Sequence, residues 1–288
     1  MTGSEFVATY ANKGVKAWEA AMLDLAKRGG LVEWPLVPIT VTDGTHTLTY
    51  FVTSDYFAVG TPSDFVRVGL TPHVGQQLLD VWGMYFPTTA MVKQIHDQAA
   101  QSGTVIAPIT SNELTPPQPN KNQNLQQYAE QDAKANVALS AAGGELGKLV
   151  SGVKKDIVTG KALKPHNVVI YGWFKKSVPG VDPTPMMGPN DLKWQPYYGG
   201  HDDGHVDYSH GVRGVSPHAK LDGKDVEISA ILQDPTLAKL VSWEGALTPA
   251  QIRYSTPDRP TPTEYYSNMH LDDRGLEVIR TYAREKRV

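Results

Sequence analysis

The chain contains no cysteine. The absence of thiols excludes disulfide scaffolds, thiolate zinc sites, cysteine nucleophiles and iron–sulfur clusters. An excess of charge of one sign is also lacking, since 27 Lys and Arg stand against 30 Asp and Glu. No apolar run approaches the ~18 residues that a membrane span needs. We therefore expect a soluble protein that has no membrane span and does not bind nucleic acid.

The composition is that of a globular protein of 288 residues, 40% of them hydrophobic. The 26 glycines and 21 prolines favour many turns and ordered loops. We predict one α+β domain over 7–288, a mixed or antiparallel sheet flanked by helices, with a weak internal boundary near 110–122. Residues 1–6 are interpreted as a cloning remnant, which could hide a removed secretion signal.

A short apolar strand at 167–171 is followed by a stretch with little periodicity. Such a fully apolar strand is typical of the centre of a sheet. Residues 172–214 are rich in glycine, proline, histidine and aromatic residues. We interpret them as one long structured loop that forms a pocket over the strand.

The densest polar cluster of the sequence lies in this predicted loop. Ten residues, 201–210, hold three of the nine histidines and three carboxylates. If this part is extended, alternation places His205 and Asp207 on one face and His210 on the other.

One hypothesis for the cluster is metal-free acid–base chemistry. Asp207 would orient His210 as a general base or acid, and Arg213 would hold a substrate anion or a developing negative charge. Ser209 is a candidate nucleophile, although adjacent residues in a strand point apart. Asp203 and its acidic neighbour are candidate glycosidase carboxylates.

A second hypothesis is a zinc site, because neutral imidazoles and carboxylates bind zinc and a zinc-bound water has a pKa of roughly 7. The predicted ligands are His201, Asp207 and His210, with His205 as an alternate. The spacing loosely resembles the His-x-x-Gly-x-Ala-x-Asp pattern of zinc D,D-peptidases. It departs from that pattern because Asp207 follows His201 by six residues rather than seven.

Residues that would bind substrate are taken from the aromatic and polar neighbours of the cluster. Rings can stack on sugars or peptides, which favours an extended substrate over a compact metabolite. A non-catalytic carbohydrate-binding protein would use the same rings, and a self-satisfied polar loop would have no activity. The predicted substrate-binding residues are Tyr171, Trp173, Trp194, Gln195, Tyr198, Tyr208 and Lys155.

Several short segments together resemble a group of largely uncharacterised, often secreted bacterial proteins, over roughly residues 30 to 245. The most specific segment is Asp-Tyr-Ser-His-Gly-Val-Arg at 207–213. In that group a histidine usually stands at the position of Val153, and position 205 is commonly aromatic. The resemblance implies a shared site and a location in the cell envelope or outside the cell. The other segments are 64–68, 70–72, 87–88, 91–92, 154–156, 171–173 and 195–196.

The function we expect is hydrolysis of a polymeric or peptide-like substrate, such as cell wall or polysaccharide, by the His/Asp site at 195–213. The alternatives are a zinc-dependent peptidase or amidase and a carbohydrate-binding protein without catalysis. Carbohydrate binding alone would not need His210.

Overall fold

The computed structural model describes residues 1–114, 124–174 and 193–255. Part of the predicted boundary at 110–122 lies outside these residues. Residues 1–254 form one compact unit. The described helices are α1 (Gly3–Tyr10), α2 (Val15–Lys27), α3 (Pro72–Asp80), α4 (Thr89–Ser102), α5 (Leu125–Ala141) and α6 (Ile228–Gln233).

Twelve strands lie among the described residues. They are β1 (Leu36–Thr42), β2 (Thr47–Thr53), β3 (Ala58–Thr61), β4 (Asp64–Arg67), β5 (Thr104–Val105), β6 (Val150–Ser151), β7 (Lys155–Ile157), β8 (Asn167–Phe174), β9 (Lys193–Asp202), β10 (His210–Gly211), β11 (Val215–Leu221) and β12 (Lys224–Glu227). Together with the helices they confirm the predicted α+β class.

Two four-stranded sheets organise the fold. The first is antiparallel in the order β1-β2-β11-β12. The second has the order β10-β7-β8-β9 and is mixed, because β10 runs parallel to β7 while the other neighbours are antiparallel. Every residue of β8 is buried, as expected for a strand at the centre of a sheet.

The prediction of one long loop over 172–214 is wrong for the described part of that range. β8 continues to Phe174, and β9 and β10 occupy most of 193–211. A strand buried on both faces shows no alternation of apolar and polar residues, which removes the usual strand signal. The β8–β9 pairing is also interrupted by two register shifts, between Val168 and Ile170 and between Ile170 and Gly172.

The first residues of the chain are part of the core. The Thr2 side chain accepts a hydrogen bond from the Glu5 N–H, and the Glu5 side chain bonds back to the Thr2 backbone, which makes a capping box. Phe6 is fully buried. A Cβ at Gly3 would lie 2.6 Å from the Phe65 carbonyl carbon, so this helix packs closely against β4. The segment interpreted above as a cloning remnant therefore begins a packed helix.

Within the described residues, no helix combines the length and the apolar content that crossing a bilayer requires.

His96 on α4 makes the stability of the fold depend on pH. Its ring is buried, packs against Phe174 with centroids 4.4 Å apart, and has Nδ1 at 3.0 Å from Ser151 Oγ. Burial lowers the pKa of His96 to about 4. The unfolded chain therefore binds the extra proton first, and the stabilisation is lost as pH falls from about 6.5 towards about 4.

We expect His96→Gln to reduce this loss. Between pH 7 and pH 4.5 the parent protein should lose about 2–3 kcal/mol more unfolding free energy than the variant, from the displaced histidine pKa alone. Denaturant titrations at the two pH values measure the difference. His218→Gln is the control, because its side chain is 53% exposed. Equal losses in the parent and in His96→Gln would contradict the prediction.

Candidate functional site

The second sheet brings most of the predicted site residues to one place. His210 on β10 is in register with Lys155 on β7, and Asp156 on β7 is in register with Tyr171 on β8. On the far side of β8, His201 of β9 is in register with Val168. Residues distant in sequence are thus placed on four neighbouring strands.

The turn that precedes β10 fixes the carboxylate of Asp207. Ser209 donates its backbone N–H to Asp207 Oδ1 at 2.7 Å, and its hydroxyl donates to the same oxygen. The His210 N–H donates to the Asp207 carbonyl at 3.1 Å. Asp207 Oδ1 is therefore held by the turn. The second carboxylate oxygen, Oδ2, is left facing two imidazoles.

His205, Asp207 and His210 form a compact cluster. Their three ligand atoms all lie within 4.8 Å of one another. Asp207 Oδ2 lies 3.8 Å from His205 Nε2 and 3.9 Å from His210 Nε2. The predicted opposite orientation of His210 is wrong, because the tight turn replaces an extended strand and returns the imidazole to the carboxylate.

Three ring nitrogens of the cluster have no hydrogen-bond partner in the part of the chain that the structure describes. Nε2 of His205 and both ring nitrogens of the fully buried His210 are without one. A buried polar group without a partner is costly and needs an explanation, such as an ion that is bound there. The side chains of His205 and Asp207 are 20% and 14% exposed, so the cluster lies nearest to solvent on their side.

The protonation states suit cation binding. Burial lowers the pKa of His210 to about 4, which keeps the ring neutral at neutral pH. Burial raises the pKa of Asp207, but the neighbouring histidines and Lys155 lower it more, so it stays well below its ordinary value. Neutral imidazole and ionised carboxylate are the forms that bind metal ions.

The spacing of these atoms fits a zinc ion after a small adjustment. Zinc bonds to nitrogen and oxygen of about 2.1 Å in tetrahedral geometry require ligand atoms roughly 3.4 Å apart. The observed separations from Asp207 Oδ2 are 3.8 and 3.9 Å. The carboxylate therefore exceeds this spacing to each imidazole by a few tenths of an ångström, and all three ligand atoms lie within 4.8 Å of one another.

The structure favours His205 over His201 as the third member of this set. The His201 ring stacks on the His205 ring with centroids 3.8 Å apart and planes at 9°. Burial, aided by the neighbouring His205, lowers the pKa of His201. His201 thus lies behind His205, while the ligand atoms nearest to Asp207 and His210 belong to His205.

Lys155 lies beside the cluster on a tryptophan ring. Its Nζ is 5.0 Å from the Trp173 ring centroid. Burial lowers the pKa of Lys155, and Asp207 opposes that shift, which places the two groups near each other.

Arg213 has a structural role, so the prediction that it binds a substrate anion is corrected. Its side chain is buried, with Nη1 donating to the Thr53 carbonyl and Nη2 to the Val150 carbonyl. The guanidinium also lies over the Tyr56 ring and 3.5 Å from Asp156. These contacts leave it no access to a substrate.

Two other predicted catalytic residues have different neighbours from those expected. The Ser209 hydroxyl is buried and donates to Asp207, so it positions this carboxylate and is not free for nucleophilic attack. Asp203 Oδ2 lies 2.8 Å from His73 Nε2 and 3.1 Å from His166 Nδ1, in a contact separate from the His210 cluster.

The described aromatic residues of the predicted site do not form an exposed platform. Tyr171, Trp173 and Tyr208 are buried, which corrects their assignment as stacking surfaces for substrate. Tyr198 is 43% exposed and meets His201 edge-on, with centroids 4.9 Å apart. The side chains of Trp194 and Gln195 lie outside the described residues.

From the sequence, His205 is predicted only as an alternate zinc ligand, and the partners of Asp203 are not predicted. The short spacing of His205, Asp207 and His210 is a signal in the sequence, but it does not predict the turn that brings the three side chains together. His73 and His166 stand far from Asp203 in sequence. No short motif connects such residues.

Fold and site together define an α+β protein with a half-buried His-Asp-His cluster. Comparison with protein-family models, with curated proteins and with solved structures found no match to the chain.

Proposed function

We propose that this protein is a metal-dependent hydrolase, in which His205, Asp207 and His210 bind one divalent cation. The observation that carries the proposal is the convergence of their ligand atoms within 4.8 Å, with imidazole nitrogens that have no partner. Two imidazoles and one carboxylate are the donor set of many catalytic zinc sites. Three protein ligands leave a fourth position for water or substrate.

The surrounding residues prepare the cluster for this role. A bound zinc ion supplies a water with a pKa of roughly 7 and polarises a carbonyl. Ser209 holds Asp207 Oδ1 and so directs Oδ2 at the ligand position. The His210 side is sealed by burial, whereas the His205 side is open to solvent, so substrate would approach past His205 and His201.

The substrate class proposed is a peptide-like or polysaccharide polymer that carries an amide or ester carbonyl. The cell envelope or the exterior of a bacterium is the proposed location, on the strength of the sequence resemblance alone. Tyr198 is exposed and meets the His201 ring, and we expect such a chain to contact it. A pure carbohydrate-binding protein is less well supported, because Tyr171, Trp173 and Tyr208 are buried.

Metal content and activity test the proposal together. We expect purified protein loaded with zinc and then desalted to retain about one ion per chain, as a three-ligand site should. Cleavage of peptidoglycan fragments, acetylated oligosaccharides or peptide amides should stop with a chelator and return with zinc. Chelator-insensitive cleavage would replace this proposal with metal-free acid–base catalysis at the same residues.

The ligand set is tested by two matched variants. We expect His205→Gln to weaken zinc binding by more than about 100-fold, since even residues behind the ligands change affinity 10–100-fold. His201→Gln should weaken zinc binding by no more than about 100-fold. The reverse order would assign the third ligand to His201.

A further inference from the structure

Lys155 is a half-buried cation whose ammonium forms no ion pair with a described residue. Among the described residues, its Nζ makes neither a hydrogen bond nor an ion pair. The Nζ lies over the face of the Trp173 ring, in a cation–π contact. By contrast, Nζ of its neighbour Lys154 donates to Gln131 Oε1 at 2.6 Å and to the Tyr208 carbonyl at 2.8 Å. An unpaired charge removed from water is costly, unless a ligand supplies the opposite charge.

Trp173 offers a second donor without a partner. Its indole Nε1 is buried and makes no hydrogen bond. This nitrogen belongs to the ring over which the Lys155 ammonium lies. Two unsatisfied donors, one of them charged, therefore share one small region beside the Asp207 and His210 cluster.

The backbone at this point is strained. Trp173 has φ of 60°, which is rare for a bulky residue, and Gly172 before it has φ of 113°. The strand is also out of register between Ile170 and Gly172. Bulges and left-handed residues cost free energy and are found where a side chain must be redirected for function.

The Lys155 ammonium favours an anionic ligand over a neutral one. Lys155 interacts electrostatically with Asp207, His210 and His201, so its ammonium lies within range of the cluster. Lys155 lies on β7, in register with His210 on the neighbouring strand β10. An acidic group bound to the ammonium would thus lie next to any group bound at the cluster.

We propose that Lys155 Nζ and Trp173 Nε1 form a subsite for an oxyanion of the substrate, either a carboxylate or a phosphoryl group. The inference rests on the proposed function, because it places this anion beside the bond that the cluster would cleave. It narrows the substrate class to polymers that carry an acidic group adjacent to the scissile carbonyl. Lys155 is the recognising residue, and Gly172 positions the indole.

Indole N–H signals of ¹⁵N-labelled protein test the subsite independently of catalysis. The chain has six tryptophans, and Trp173→Phe identifies the signal of Trp173. Metal-free protein is titrated with inorganic phosphate in one arm and acetate in the other. We expect the Trp173 signal to shift and saturate with at least one anion, and the stronger arm distinguishes a phosphoryl from a carboxylate ligand.

Lys155→Met supplies the decisive comparison. We expect it to weaken anion binding by about tenfold or more, as loss of a charged hydrogen bond should. Lys220→Met is the control, because Lys220 is an exposed residue of β11. An unmoved Trp173 signal in both arms, or equal affinities in the parent and Lys155→Met, would overturn the subsite.

The two proposals fail in different ways. Zinc content is measured on the same Lys155→Met protein and should equal that of the parent. Anion binding without any zinc binding would overturn the hydrolase proposal alone. Zinc binding with no anion binding would overturn only the subsite.

Discussion

Replacement of Arg67 by methionine is expected to lower the free energy of unfolding by about 3–5 kcal/mol, the usual cost of breaking a buried ion pair. Arg67 is 2% exposed and connects two buried carboxylates. Its Nε donates to Asp55 Oδ1 at 2.8 Å, and its Nη1 donates to Asp132 Oδ1 at 2.8 Å. Methionine fills similar space, but leaves both carboxylates without the guanidinium that hydrogen-bonds to them.

The effect is large because the geometry leaves little room for water to compensate. Asp55 also receives the Tyr56 N–H at 2.7 Å, and Nη1 of Arg67 donates to Asn136 Oδ1 at 2.7 Å. Arg67 thereby ties β4 to α5 and to the segment after β2. Arg67→Met therefore leaves several buried polar groups without a hydrogen-bond partner.

Urea titration at pH 7 measures this loss. Lys220→Met is the matched control, because it removes a cation from the exposed ion pair with Asp225, and should change unfolding by no more than about 0.5 kcal/mol. Changing Asp55 and Asp132 to asparagine in the Arg67→Met background should recover part of the stability, since the buried negative charges are then gone. A loss below 1 kcal/mol in the single variant would show that the network is not a principal source of stability.

Under the proposed function, replacement of His210 by glutamine is expected to weaken zinc binding by more than about 100-fold and to abolish the proposed hydrolysis, because it removes one of the three proposed ligands. His210 is the most deeply buried member of the cluster, and both of its ring nitrogens lack partners. The amide of glutamine places its polar atoms differently. A cation would then keep only two protein ligands.

The control for this variant is His96→Gln. His96 is buried to almost the same extent, but belongs to α4 and has Ser151 as its partner. Both variants should unfold cooperatively, and isothermal titration with zinc should separate them. Unchanged zinc affinity in His210→Gln, with the fold intact, would remove His210 from the ligand set.

The sequence was informative where the signal is local. In α2 the apolar residues Trp18, Met22 and Leu25 stand at helical spacing, and α3 begins with Thr71 at the cap and Pro72 in the first turn. Thr88 caps α4 by accepting the Met91 N–H at 3.2 Å. Helical periodicity and caps depend on residues within a few positions of one another, which is why one sequence suffices to read them.

The strands of the second sheet are less apparent from the sequence. The apolar run predicts β8 only as far as Tyr171, and the residues of β9 fall within the predicted loop. Both strands depend on partners that are distant in sequence, and their pairing contains bulges that break the period of two. A single sequence carries no record of which strands are neighbours.

The sequence by itself determined the α+β class, and it marked residues 201–213 as the candidate site. Only the tertiary structure decided that Arg213 belongs to the core, that Asp203 meets His73 and His166, and that His205 joins Asp207 and His210. It alone placed Lys155 on Trp173. The reason is that donor direction and burial arise from contacts between distant segments, whereas composition and spacing record only which side chains are present.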